Sequence, residues 1–282
     1  CKISHGMAKA AEEDGAEIRL NTPVKRVIVD RRVAKGVELE DGTKIEADDV
    51  IINADFAQAM TTIADTATVR KYTEADLKRR GYSCSTFMLY LGLDKTYDMK
   101  HHTIVFASDY HKNLDEIANK KVLSEDISFY VRNASVTDPT IAPKGHSSVY
   151  VLVPVPNQKS GLDWEKEKGP FRERVLDAIE KRTAMKDLRK HIKAEEVIHP
   201  GNWQNDRDVY YGATFNLAHT LNQMLSMRPH NAFEEWRHCY LVGGGTHPGS
   251  GLPTIYESGR ISADMLCKSY GIKVDPPLAL PV

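Results

Sequence analysis

Cysteine is scarce in this sequence: four residues in 282, Cys1, Cys84, Cys239 and Cys267, all far apart. No C-x-x-C and no dense spacing occurs, which argues against a disulfide framework and a zinc-thiolate site and makes a reducing cytoplasm the expected compartment. Net charge is almost absent as well: 38 Lys and Arg against 39 Asp and Glu leave −1. No global field draws such a chain to a phosphate polymer, so nucleic acid is set aside as a partner. Long apolar runs are missing too. None approaches the ~18 residues that a spanning helix needs, and the opening residues lack the charged-then-apolar layout of a signal peptide. Metal ligands are thin: His101 and His102 are adjacent and expected to diverge on a strand, while His230, His238 and His247 lack a carboxylate at ligand spacing. No metal site is expected.

What the sequence has is an ordinary globular composition, 41% hydrophobic and 27% charged, on a chain longer than one small core supports. Two domains, or one large α/β unit with an insertion, follow. The chain opens on Cys1 rather than Met and enters a helical pattern at once, which suggests a piece of a longer protein. Ile3, Met7, Ala10 and Ala11 recur at helical spacing up to Gly15. "AEIRL" then reads as a strand. "VKRVIVD", "RVAKGVELE", the Asp41-Gly42 turn, "TKIEA" and "VIINA" read as a meander ending in a buried strand. Charge density predicts helix from Thr61 to about Arg80. "STFMLYLGL", "IVFAS", "ISFYVRN" and "SSVYVLVPVP" predict a second sheet, with Pro154 and Pro156 ending the last strand or placing it at an edge. A helix is predicted between Gly169 and Ile192, with Pro170 in its first turn and charges alternating along a solvated face. "CYLVGGG" returns to a buried strand. A helix follows from Pro253, with Leu252, Ile255, Gly259, Ala263 and Leu266 on one face, and the proline-rich tail "KVDPPLALPV" is expected to be loose.

The segment between that strand and that helix concentrates five of the 18 glycines, Gly243, Gly244, Gly245, Gly249 and Gly251. Three phosphate-binding or nucleophile motifs fail on the residues that stand at their required positions. Gly244 and Gly249 have P-loop separation, but Ser250 and Gly251 stand where Lys and Ser or Thr are required. A G-x-G-x-x-G from Gly243 meets Pro248 at its last glycine, and a G-x-S-x-G on Ser250 would need glycine at Pro248 and Leu252. What remains is a side-chain-poor loop carried by a buried strand to the positive end of a helix, where a flat ligand can lie against backbone. A tight strand-to-helix turn that uses glycine for its dihedral freedom is the alternative.

The stretch "MRPHNAFEEWRHCYLVGGGTHPGSGLPTIYESGR" resembles the carboxy-terminal signature of the bacterial and fungal type of phytoene desaturase, in the FAD-containing amine oxidase superfamily. "TDPTIAPKGHSSVYVLVPVPN", "DWEKEKGPFRERV" and "GATFNLAHTLNQM" are similar to further stretches of those enzymes in the same order, and "EIRLNTPVKRVIVDRRVAKGVELEDGTKIEADDVIINAD" resembles the superfamily's flavin-domain meander. The resemblance implies an α/β (α+β) fold: a discontinuous, partial FAD-binding domain in 1–60 and 213–282, with an inserted sheet-plus-helix substrate domain in 61–212. It implies that Gly244, Gly245, Thr246, His247, Pro248, Gly249, Gly251, Leu252 and Pro253 run beside the flavin, the helix aiming its amino end at the ring's pyrimidine side. Val24 matches the position whose backbone contacts the adenine, and Arg228, His230 and Asn231 match a motif assigned here to holding the loop.

The implied activity is desaturation of a long apolar polyene such as phytoene by a cytoplasmic enzyme peripheral to the membrane. A carotenoid oxygenase or isomerase, or a non-catalytic lipid- or cofactor-binding protein, remains open, and no catalytic acid or base is assigned. The sequence departs from the family at one place: no G-x-G-x-x-G followed by a distant acidic residue occurs, so the nucleotide-binding Rossmann start is missing. The chain purified alone is therefore expected to hold FAD poorly. A stoichiometric flavin absorbance band after gel filtration would overturn that expectation.

Overall fold

The computed structural model describes residues 2–65 and 67–274 as a mixed α/β fold with three sheets. Helix α1 (Lys2–Glu13) ends at Gly15, which takes the left-handed φ of 91° expected there. Strands β1 (Val24–Asp30), β2 (Val33–Leu39) and β3 (Lys44–Glu46) form the antiparallel meander. β4 (Val50–Ile52) leaves it and pairs in parallel with β10 (Cys239–Leu241), which lies far along the chain beyond the whole second sheet. Helices α2 (Phe56–Thr62) and α3 (Glu74–Arg79) follow β4. One core gathers Val27, Ile52, Phe56, Tyr72, Leu77 and Trp236 from these segments.

The second core is built on β5 (Ser85–Leu93), β6 (His102–Val105), β7 (Phe129–Asn133), β8 (Ser147–Val155) and β9 (Ile192–Ile198), in the antiparallel order β6-β7-β8-β5-β9. Short helix α4 (Tyr110–Asp115) links β6 to β7. Between β8 and β9 lie α5 (Trp164–Arg182) and α6 (Leu188–His191), and α7 (Pro200–Asn205) follows β9. Period-two alternation turns Phe87, Leu89 and Leu91 of β5 and Val149, Val151 and Val153 of β8 to one face. There they meet Trp164, Phe171, Val175 and Ile179 of α5, with Phe87 edge-on to Phe171 at 5.0 Å. Helix α8 (Leu252–Ser269) closes the described chain.

Several expectations are corrected. "AEIRL" is not a strand: no partner lies beside it among the described residues, and Ile18 and Leu20 are exposed. The Thr61–Arg80 helix is two helices with a loop between them. That loop is held because Tyr72 inserts between Phe56 and Phe233, and the Glu235 carboxylate accepts the backbone N–H groups of Arg70, Lys71 and Tyr72. "IVFAS" begins two residues early as β6. β8 does end just before Pro156; Pro154 lies inside it, past the point where β7 pairs, so the proline has β5 alone beside it and an open edge on its other side. Helix α5 starts at Trp164, not Gly169, because buried Trp164 anchors the first turn on Phe87, and Pro170 sits inside the helix.

His101 and His102 do not diverge. His101 lies in a bend just before β6, and the two rings sit 4.2 Å apart. The buried face of α8 is Ser258 and Ser262 rather than the apolar stripe, of which Leu252 is 65% exposed. "KVDPPLALPV" lies, from residue 275 on, outside the described residues. The Phe87→Ala variant, which removes the ring between Trp164 and Phe171, is expected to cost about 3–5 kcal/mol in urea unfolding.

Candidate functional site

Both parallel strands, β4 and β10, end at the same place, and polar or glycine residues follow each. Asn53, Ala54 and Asp55 come after β4; Val242 and the triple glycine Gly243–Gly245 come after β10. Ligands in α/β sheets bind outside the carboxyl ends of parallel strands, for there the backbone turns away and leaves a crevice. Here a cleft of about 900 Å³ opens at that point.

Of the residues singled out in the sequence, Val24, Gly244, Gly251 and Leu252 meet in the cleft wall, joined by Gly243. The others hold the loop from behind or lie off the cleft. Gly245 is buried and could carry no side chain: a Cβ there would sit 2.4 Å from the Cβ of Phe56 and 2.7 Å from Oδ1 of Asn216. Thr246, 1% exposed, donates its hydroxyl to the Pro229 carbonyl, and the His247 amide donates to the same oxygen. His247, Pro248 and Gly249 form the far limb of the loop, where Gly249 faces the His219 ring, and Pro253 lies in the exposed first turn of α8.

Gly251, at φ 105°, is the N-cap of α8 and brings no capping side chain. The first-turn amides therefore have no side-chain acceptor, and the positive end of an 18-residue helix is left facing the cleft edge.

The loop is fixed by Arg228. Its guanidinium, 1% exposed, donates to the carbonyls of Gly244 and Thr246 on the loop and of Leu217 and Gln223 beside it, at 2.6 to 3.3 Å. Desolvation lowers its pKa to about 10, which still leaves it charged at neutral pH. Asn231 ties β10 to α8 through the carbonyls of Leu241 and Ser258 and the Ser262 hydroxyl. His230 is exposed and reaches only the Ser226 carbonyl and, at 4.0 Å, Glu234, so two residues of the "MRPHN" trio hold the loop and its helix and one does not.

Residues not anticipated complete the cleft: Asn53, Asp55, Phe215, Asn216, Ser250 and Ile255. Asp55 is the notable one. Burial pushes its pKa up to about 6, against the opposing effect of backbone N–H groups at Gln58, Tyr210 and Ala57. A polar residue directly after a buried strand was the available signal for Asn53 and Asp55. Nothing local marked Asn216, which arrives from a distant turn.

Residues 2–267 match the family model described as flavin containing amine oxidoreductase, and the chain belongs to that family. The curated proteins it is similar to include phytoene and carotenoid desaturases. It is 53% identical over 272 residues to a 4,4'-diapophytoene desaturase (4,4'-diapolycopene-forming) of Methylomonas sp, a match covering 96% of this chain and 53% of that protein. It is 43% identical over 274 residues to an all-trans-zeta-carotene desaturase of Myxococcus xanthus, covering 96% and 52%. An oxidoreductase from Methanosarcina mazei shares the fold at a TM-score of 0.57 and 15% identity, over 93% of this chain and 52% of that one. The chain thus spans about half the length of the curated relatives it matches.

Arg228→Met leaves four carbonyls, those of Leu217, Gln223 and Thr246 buried and that of Gly244 half-buried, short of a donor and should lower stability by about 3 kcal/mol or more in chemical denaturation, with Arg228→Lys recovering part of it.

Proposed function

We propose that this chain forms the ring side of an FAD site and the substrate side of an enzyme that desaturates a long apolar polyene of the phytoene type. The observation that carries the reading is the cleft at the ends of β4 and β10, walled by bare backbone at Gly243 and Gly244 and bounded by the uncapped start of α8. These features fit a flavin ring. A flat aromatic system needs a surface without side chains, and the ring's pyrimidine edge, where negative charge collects, suits the positive end of a helix. Gly243, Gly244, Gly251 and Leu252 would hold the ring and Val24 the far wall. FAD, when bound, supplies the two-electron oxidising capacity that removal of hydride from an allylic carbon needs.

The chain's own contribution is placement and dryness. Arg228 holds the loop through its carbonyls, so the backbone surface under the ring does not depend on side-chain packing. Phe215, Leu252 and Ile255 present apolar surface at the cleft, which favours a polyene and excludes water from a charge-separating reaction. We assign the cofactor side to 1–60 and 213–282, together with the segment through Leu77 that packs on the same core, and the substrate side to the core built on β5–β9.

No helix among the described residues is long and apolar enough to cross a membrane. We place the enzyme in the cytoplasm, taking its substrate at a membrane surface. The relatives' names supply the substrate class: one is a 4,4'-diapophytoene desaturase, another a zeta-carotene desaturase.

The test is reconstitution of the holoprotein with FAD and phytoene in liposomes. A red-shifted polyene absorption is expected. A carbonyl product would favour an oxygenase instead, an isomerised polyene of unchanged hydrogen content an isomerase, and bound but unaltered phytoene a binding protein.

A further inference from the structure

The cleft holds a buried carboxyl that ring-binding by the glycine loop does not explain. Asp55 caps α2, where its Oδ1 accepts the Gln58 amide at 3.0 Å. Its Oδ2 accepts from Nδ2 of Asn216 at 2.6 Å, across a sequence separation of 161 residues. Asn216 is 8% exposed, and its amide orientation is determined from both ends: Nδ2 faces Asp55, and Oδ1 accepts the Leu217 amide at 2.9 Å. Its backbone is tied as well, its amide donating to Ala213 and its carbonyl accepting from Ser83. Phe56, the next residue after Asp55, and Asn216 are the two side chains that a Cβ at Gly245 would strike. Gly245 is therefore clamped between two groups that Asp55 adjoins, Asn216 through a hydrogen bond and Phe56 as its chain neighbour, and Gly243 and Gly244 share the cleft wall with Asp55 and Asn216.

We propose that Asp55 is a positioning residue of this site: its carboxylate orients Asn216, and the Asn216–Phe56 pair then sets where the glycine loop presents its backbone to the flavin ring. The inference rests on reading the cleft as a flavin site. The bond to Asn216 is charge-assisted only while Asp55 is ionised. With a pKa of about 6, the clamp weakens as pH falls through that value.

Other titratable groups face the same space. Tyr210 and Tyr82 interact electrostatically with Asp55, and burial holds both phenols above their ordinary range, so they stay uncharged. Lys25 and Glu40 line the cleft from the meander, and Arg207 and Asp208 from the segment after α7. His219, bonded to Ser250 at 3.1 Å and lowered by burial, is the competing source of a pH step.

The experiment measures FAD dissociation constants of the holoprotein by flavin fluorescence, with the visible circular dichroism of bound flavin, from pH 5 to 8. Wild type, Asp55→Asn, Asn216→Ala, the double variant and His219→Gln are compared. Asp55→Asn mimics the protonated carboxyl and should bind FAD about tenfold more weakly at pH 7.5, with a flat pH profile. Asn216→Ala should do the same, and the double variant should be no weaker than either single one.

Stability separates positioning from a structural role. A carboxyl whose pKa is raised from 3.8 unfolded to about 6 folded loses stability as pH rises between those values. Relative to wild type, Asp55→Asn should therefore gain stability across that window while losing affinity above it.

Wild-type affinity and pH profile in Asp55→Asn would overturn the proposal. So would additive effects in the double variant, or a pH step that survives in Asp55→Asn and vanishes in His219→Gln. Should Asp55→Asn fail to fold, unchanged affinity in Asn216→Ala overturns it equally. A full-length wild type that binds no FAD overturns the flavin reading and this inference with it, whereas binding in the full-length wild type beside an unaltered Asp55→Asn overturns this inference alone.

Discussion

Three parallel residue pairs, Cys239 with Val50, Tyr240 with Ile51 and Leu241 with Ile52, are the constraint on which the site depends. A parallel pair cannot be closed by a tight turn; its strands need a long crossover, and here the crossover contains the entire five-stranded sheet. The closure entropy grows only slowly with that length, which makes so long an excursion tolerable. Once β4 and β10 lie side by side, their carboxyl ends coincide, and the residues after each strand share one cleft. Around the pair, buried polar groups complete the closure. Ser262 donates to the Leu241 carbonyl, Ser258 accepts the Gly243 amide, and Asn231 joins β10 to α8, so small polar side chains let the helix approach the strand closely.

How much of this was legible follows from the range of the forces involved. Most strands of the meander and of the large sheet were readable because composition and period-two burial are local: β8 alternates without a break, while β5, buried on both faces over its first five residues, reads as a run of apolar, aromatic and branched residues. The loop between α2 and α3 was not, because what defeats helix there is the Glu235 carboxylate arriving from 163 to 165 residues away. "AEIRL" has strand composition, but a strand exists only where a partner takes its backbone groups. The α8 stripe misled for a related reason: periodicity marks apolar residues, while the helix is seated through two serines that hydrogen-bond to β10.

The site divided along the same line. Gly244, Gly251 and Leu252 were readable as a bare loop entering a helix, a local feature. Asp55 and Asn216 were not, because each becomes part of the site only through the other. Arg228 stood between these cases: its motif was visible, whereas its four carbonyl partners belong to three chain segments that only folding brings together.

A loop made mostly of glycine raises a problem that its own composition cannot solve. Without side chains it has nothing to pack with, and the apolar burial that holds the rest of the molecule contributes little to its position. Its only handles are carbonyls and amides. A donor-only group with a planar fork, the guanidinium of Arg228, can take several carbonyls at once, and its desolvation is tolerable because its bonds are satisfied. On the opposite side, where a side chain must approach within the space of a missing Cβ, Asn216 and Phe56 fill the gap at Gly245. Buried charge and buried polar groups therefore collect around this loop because flat backbone, if it is to be both bare and rigid, must be held by hydrogen bonds and by contact from neighbouring segments.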